Sequence, residues 1–285
     1  MNARPIYHGH DVPRYDERLY KAIRRYGLPP RAPRAWRDEP DFQAWDRLGH
    51  MQASGGIYWQ CYLHEALLEA GIDQCQDLST ITILDKRWHF GRDHWNFAPG
   101  RIEYQVRRGL KGQNYIVVIE FEVFRNVRHH ADPAPGSLAA YADHGITIAP
   151  HIQGLVWGGE VSRRIRANFA GGIFGAPAIK VMKVYDFPGA LRYMGKPPCS
   201  GRSVFPSKAG GYRRRSWPDM SLTLHHLLLS HLHPFRWPDL TFASGEGSAV
   251  LARAKRLWRD FKPAATHPTD HRWPMQAGLV GRPGG

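Results

Sequence analysis

The sequence predicts an α+β fold: an antiparallel sheet with helices on one face, set between helical segments at both ends of the chain. Three observations predict it. Short runs rich in β-branched residues, several with period-two alternation, recur between residues 78 and 185. Stretches with helical apolar spacing lie between them. The order is strand, helix, strand, strand, helix, strand, helix, which is a split βαβ arrangement.

Residues 1–77 read as a helical extension. Residues 15–26 (YDERLYKAIRRY) have helical spacing of charge and apolar side chains, ended by Gly27-Leu28-Pro29-Pro30. A second helix over 57–70 carries Trp59, Leu63, Ala66, Leu67 and Ala70 on one stripe and stops at Gly71. That stripe marks a core face.

Residues 78–198 hold the sheet. Residues 79–86 (STITILDK) alternate as a strand, 101–110 (RIEYQVRRGL) space as a helix, and 115–124 (YIVVIEFEVF) form the clearest strand. A loop or insertion follows, with His129-His130 and the stretch from Pro133 to Gly136. Residues 146–157 (ITIAPHIQGLVW) read as a strand, 161–170 as a basic helix and 178–185 (AIKVMKVY) as a strand. Asp186 caps a short helix that holds Pro188 in its first turn and runs through Tyr193 to Lys196, where Pro197-Pro198 stops it. Gly189 and Gly195 each weaken that helix by roughly 1 kcal/mol against Ala. This connectivity is similar to ferredoxin-like and RRM-like folds, whose second sheet face is open and suits a substrate channel. Residues 199–285 read as a basic, partly helical extension: a loop over 207–217, helices over 220–231 and 248–261, and a loose tail from Lys262.

A hydrophobic fraction of 42% is enough for a packed core, so the bulk of the chain is not disordered. The net charge of +14, from 39 basic and 25 acidic residues, calls for a polyanionic partner. No apolar run approaches the roughly 20 residues of a membrane helix. The N-terminal stretch MNARPIYHGHDVPRYDER has no apolar signal core. A soluble, cytoplasmic protein acting on nucleic acid is the expectation. Cys61, Cys75 and Cys199 form no CxxC pair, which argues against a disulfide framework or a cysteine zinc site.

Two short motifs carry chemistry. His151 and Gln153 stand two apart on a strand and share a face. An imidazole nitrogen and an amide oxygen suit Mg²⁺ or Mn²⁺ better than zinc. Such a site needs an acid, and Glu120 and Glu122 share one face of the neighbouring strand. A carboxylate inside an apolar strand needs a partner, and a metal supplies one. The solvent-facing side of a half-buried strand explains the same pair. Tyr193 and Lys196 are three apart and face the same way on a helix. A phenol, with a pKa of about 10, becomes a nucleophile when a cation favours phenolate.

The order His151-Ile152-Gln153-Gly154 and then Tyr193-Met194-Gly195-Lys196, beside an acidic strand, resembles the HUH-superfamily endonucleases. Within that superfamily it is most similar to the HUQ type of rolling-circle replication initiators (Rep proteins). The resemblance covers residues 78–198, with residues 80–84 in the place of the first motif. It implies that His151, Gln153 and Glu120 or Glu122 hold one Mg²⁺ or Mn²⁺, with Glu120 preferred because it lies nearer the start of the strand. It implies that Tyr193, aided by Lys196, nicks and rejoins single-stranded origin DNA of a plasmid or phage through a 5′-phosphotyrosine. No GxxxxGK[ST] stretch occurs. The resemblance is therefore to a plasmid type without a helicase domain, relying on a host helicase. One YxxK tyrosine implies that termination uses a second protomer or Tyr193 again, so a homo-oligomer stays open. A transposase or relaxase of the same superfamily, and a non-catalytic RRM-like binding protein, are the alternatives.

Basic and aromatic residues mix at Tyr212, Arg213, Arg214, Arg215 and Trp217, and again over 163–169. Arginines that track phosphates and aromatics that stack on bases suit unpaired DNA. The stretch His89-Phe90-Gly91-Arg92-Asp93-His94-Trp95 reads as an exposed loop, with a second metal site or a DNA contact as the other readings.

Overall fold

The computed structural model describes residues 11–27, 53–91, 95, 97–125, 146–161, 163–171, 176–196, 201–206, 212–217 and 220–260. Two helices come first, α1 (Asp11–Tyr26) and α2 (Ala53–Glu69). The central run is β1 (Ser79–Ile83), β2 (Phe90–Gly91), α3 (Pro99–Gly109), β3 (Asn114–Arg125), β4 (Ile146–Trp157), α4 (Arg163–Arg166), β5 (Ile179–Lys183) and α5 (Phe187–Tyr193). It is followed by β6 (Gly201–Pro206), β7 (Tyr212–Trp217), α6 (Leu222–Leu232), β8 (Thr241–Ser244) and α7 (Gly247–Asp260). The expected strand over 79–86 ends at Ile83, and a 3₁₀ turn follows at Lys86–Trp88. The expected basic helix over 161–170 shortens to one turn.

The strands form one α+β sheet in the order β5-β1-β4-β3-β6-β7, with β2 pairing β4 and β8 pairing β3. Its spine is the β3–β4 pair, twelve residues in unbroken register from Asn114↔Trp157 to Arg125↔Ile146. Along β5-β1-β4-β3 each adjacent pair is antiparallel. The sheet as a whole is mixed, because β6 joins β3 in parallel. This corrects the expectation of a purely antiparallel sheet. The basic stretch expected as a loop over 207–217 is also corrected for residues 212–217: they form β7, which pairs with β6 from Gly201↔Trp217 to Pro206↔Tyr212.

The alternation of side chains sends two different apolar sets to the two faces. On one face Val117, Ile119, Phe121, Ile81, Ile152 and Val156 pack with Leu19 and Ile23 of α1, Ile102 and Val106 of α3, and Leu224, Leu228 and Leu229 of α6. On the other, Ile116, Val118, Leu155 and Trp157 pack with Trp59, Leu63 and Leu67 of α2, Leu191 of α5, and Val250, Leu251 and Ala254 of α7. The expectation of one open sheet face therefore fails. Helices from before and after the central run cover it on both sides, which is why β3 is apolar almost without interruption. What stays accessible on the second face is a strip at the β5 edge: Thr80 and Thr82 are half-buried, and Lys180 and Met182 are exposed.

Polar cross-links join the terminal segments. Arg18 Nη2 donates to the Met220 carbonyl at 2.7 Å, and Glu69 and Arg253 form a two-pronged ion pair at 2.8 and 2.9 Å. Among the described residues no helix is long and apolar enough to cross a membrane. Cys61 and Cys75 are free thiols, while Cys199 lies outside the described residues.

Candidate active site

The outer neighbours of the β3–β4 spine change at its middle. Strand β8 pairs with residues 115–118 of β3 and β6 with residues 123–125. Strand β1 pairs with residues 152–156 of β4 and β2 with residues 147–148. Glu120, Glu122 and His151 all sit where those neighbours part.

Glu120 and His151 are direct register partners, and Glu120 is only 3% exposed. His151 Nε2 lies 3.4 Å from Glu120 Oε2. Its Nδ1 lies 3.5 Å from the Ala149 carbonyl, so the protonated ring can donate to Ala149 from Nδ1 and to Glu120 from Nε2. Burial opposes charge on His151, but the hydrogen bond and charge of Glu120, with Glu122 behind it, raise its pKa overall.

Gln153 follows on the same face and is buried. Its Oε1 accepts from Thr82 Oγ1 at 2.9 Å, which fixes the amide and puts its oxygen toward the β1 side. The next residue must be glycine for a packing reason. A Cβ at Gly154 would stand 2.2 Å from the Ile116 carbonyl oxygen and 2.6 Å from Val117 Cγ1.

The other Glu120 oxygen reaches a different element. Oε1 accepts from the backbone N–H of Gly195 at 2.6 Å and of Lys196 at 3.2 Å. Asp186 caps α5 as expected, accepting from Gly189 N at 3.0 Å. The helix ends at Tyr193, one turn earlier than expected. Gly195 then adopts φ 75°, a left-handed conformation open to glycine, and folds Lys196 back. Lys196 Nζ comes to 3.0 Å from the centre of the Tyr193 ring, so the two side chains meet through a cation–π contact.

Burial raises the Tyr193 pKa, and the Glu120 charge adds to it, while Arg202 pulls the other way. Burial lowers the Lys196 amine to about 8 against the pull of Glu120 and Glu122. Tyr193, at 41% exposure, keeps its ring open to a substrate. Glu122 is bound elsewhere: Arg202 Nε lies 2.5 Å from its Oε1.

A divalent ion with donors at about 2.0–2.2 Å places neighbouring donors roughly 3 Å apart. The His151–Glu120 separation of 3.4 Å suits that span. Among the described residues no three His, Cys, Asp or Glu side chains group as a metal cage. His151 and Glu120 are thus the pair of candidate ligands at the right span, while the Gln153 amide oxygen is engaged by Thr82.

Of the DNA-binding candidates, Arg215 is exposed on β7. The backbones of Tyr212, Arg213 and Arg214 pair with Pro206, Phe205 and Val204, and their side chains lie outside the described residues. The stretch from His89 differs from its expected exposed loop: His89 and Phe90 are buried, Trp95 stacks on His231 with ring centres 4.1 Å apart, and residues 92–94 lie outside the described residues. Phe169 is also buried, which removes it as a base-stacking side chain.

Several contributors carried no sequence signal. Thr82, Arg202 and Gln60 become partners of Gln153, Glu122 and the Met194 carbonyl through chain separations of 71, 80 and 134 residues. Arg202 lay at the start of a basic stretch, which was a hint of charge and not of a partner. Comparison of the chain with known protein families, with curated proteins and with solved structures returns no match.

Proposed function

We propose that this chain is a metal-dependent, HUH-type endonuclease that nicks and rejoins single-stranded DNA through Tyr193, in the manner of a rolling-circle replication initiator. One observation carries the reading. The Glu120 carboxylate faces His151 with one oxygen and holds the Gly195-Lys196 backbone with the other, so the three motifs converge on one side chain. The strand order β5-β1-β4-β3, antiparallel throughout with helices in two of its connections, supports a ferredoxin-like core of two interleaved βαβ units.

His151, Glu120 and Gln153 would hold Mg²⁺ or Mn²⁺, which would polarise the scissile phosphate. Lys196 sits over the Tyr193 ring and offsets negative charge as the phenol loses its proton. The phenol gives its proton to solvent, its oxygen bonds to phosphorus, the bond from phosphorus to the 3′ oxygen breaks, and that oxygen takes up a proton from solvent. Attack by a 3′-hydroxyl reverses the exchange. The strip of Thr80, Thr82, Lys180 and Met182 leads from Gln153 to the β5 edge and suits an unpaired strand: polar side chains and an amine for phosphates, and a thioether for a base face. The net charge of +14 favours such a partner. A host helicase would open the duplex.

The test is covalent capture. The full chain is incubated with Mn²⁺ and single-stranded oligonucleotides, and denaturing gels score protein–DNA adducts. Wild type forms an adduct with a 5′-phosphotyrosine, and Tyr193→Phe forms none. An adduct of equal yield in Tyr193→Phe overturns the assignment. A transposase or relaxase would share this chemistry and differ in the DNA it cuts. A binding module without catalysis is the second reading, favoured by burial and the Glu120 charge, which both raise the Tyr193 pKa and so work against phenolate. It gives salt-sensitive, metal-independent binding and no adduct.

A further inference from the structure

We infer that Gln60, one helical turn after Gly56 on α2, is a positioning residue for Tyr193, so that helix α2 acts in the same step as the central sheet. The inference rests on the nicking function proposed above and assigns a role to a segment outside the motifs.

Helix α5 stops at Tyr193, and the Met194 backbone is extended at φ −84° and ψ 148°. Beyond that point helical hydrogen bonds no longer direct the chain, yet the nucleophile sits at this boundary. The turn is held instead from three sides. Gln60 Nε2 of α2 donates to the Met194 carbonyl. Glu120 takes the Gly195 and Lys196 N–H groups from the sheet side. Trp237, fully buried, fills the third side: a Cβ at Gly195 would lie 3.3 Å from its Cζ3.

Gly56 explains how α2 comes so close. A Cβ there would stand 2.9 Å from Trp237 Cζ2 and 3.0 Å from the Gly195 carbonyl oxygen. Any larger residue would push α2 off the turn and draw the Gln60 amide away from Met194. The Met194 side chain is itself buried with Trp59, Leu63 and Trp237. Tyr193 thus projects from a turn whose next two residues are fixed, while its own ring is 41% exposed. A rigid mount with an accessible tip is what in-line attack on phosphorus requires, since reacting groups displaced by about 1 Å lose up to a hundredfold in rate.

Gln60 touches neither the metal ligands nor the ring of Tyr193 among its described contacts, so its effect on rate separates from binding. The experiment compares wild type, Gln60→Ala and Gln60→Glu as full chains. Gln60→Glu keeps the size and loses the donor. Each is given Mn²⁺ and a random pool of single-stranded oligonucleotides about 30 nucleotides long, and single-turnover adduct formation, oligonucleotide Kd and amide hydrogen exchange are measured. Both variants are expected to form adduct about tenfold or more slowly, with Kd within about twofold of wild type. Exchange should speed up at Gly195 and Lys196 and stay unchanged in β3 and β4. Wild-type adduct rates in both variants overturn the inference. So does a loss of rate matched by faster exchange across the whole sheet, which would make Gln60 merely structural. If wild type itself forms no adduct, the nicking function fails. The exchange arm then decides separately whether Gln60 holds the turn.

Discussion

Glu120 accepts the Gly195 backbone N–H at 2.6 Å while its other oxygen faces His151, so a single buried carboxylate links the middle of β3 to the turn that carries the candidate nucleophile. The two tasks separate by substitution. Glu120→Gln keeps a carbonyl oxygen for Gly195 but removes the charge that a divalent ion needs. Glu120→Ala removes both, leaving two N–H groups without their charged acceptor, and should cost roughly 1.5–3 kcal/mol for each hydrogen bond lost. The expected outcome is loss of Mn²⁺-dependent adduct formation in both variants, with urea unfolding near wild type for Glu120→Gln and clearly weakened for Glu120→Ala. Equal destabilisation of the two would show that charge, and not the turn, is what Glu120 supports.

Glu122 differs from Glu120 in what it holds. Arg202 reaches it from β6 at 2.5 Å, and Arg202 also pulls the Tyr193 pKa down. Glu122→Gln should therefore retain metal-dependent adduct formation within a fewfold of wild type. Arg202→Ala should slow it and move the pH dependence of the rate upward, because the phenolate loses a nearby cation. Isothermal titration with Mn²⁺ provides the direct check: a metal affinity that falls more for Glu122→Gln than for Glu120→Gln would exchange the roles of the two acids.

The long strands were legible because both of their faces are apolar or bear the motif. Residues 146–157 were read from sequence with the bounds of β4, and 115–124 lie one residue inside β3 at each end. The resemblance implied that Glu120, His151 and Tyr193 share one site, while the backbone contacts that join Glu120 to the turn after Tyr193 carried no sequence signal. Nothing in MGK says that its amides turn toward a strand 75 residues earlier. Strand β7 was hidden by its composition, since YRRRSW lacks apolar alternation and becomes a strand by pairing with β6. The covered second face was hidden because α2 reads simply as a helix with a core stripe, and a stripe does not name the surface it meets.

Acid should destabilise the protein through His89. Burial lowers its pKa from 6.5 to about 4, so between these values the unfolded chain binds a proton that the native chain refuses. Stability then falls as pH drops through that window, by at most about 1.4 kcal/mol per pH unit from this one group. His151 runs the other way. Its raised pKa contributes stability that is complete below 6.5 and fades as pH rises through the folded value. The comparison of wild type with His89→Leu by urea unfolding isolates the first effect. The variant should lose less stability between pH 6.5 and 4, and parallel curves would remove His89 as the source.

Gly154 sets the distance between β3 and β4 beside Gln153. A methyl group there would lie 2.2 Å from the Ile116 carbonyl oxygen and 2.7 Å from the Val117 Cα, both backbone atoms of a central strand. Neither can rotate away as a side-chain tip could, so relief requires the strands to part. Gly154→Ala is expected to cost roughly 1–3 kcal/mol or more, the range of overpacked cores. Parting at this point also displaces Gln153, the preceding residue of β4, whose amide oxygen accepts from Thr82 on the other neighbouring strand, β1. Mn²⁺ affinity should therefore fall together with the urea midpoint. Thr82→Val provides the contrast, removing the hydroxyl donor without crowding the backbone. It should weaken the ion more than the fold, and a Gly154→Ala protein of wild-type stability would show that β3 and β4 are not packed as closely as this register requires.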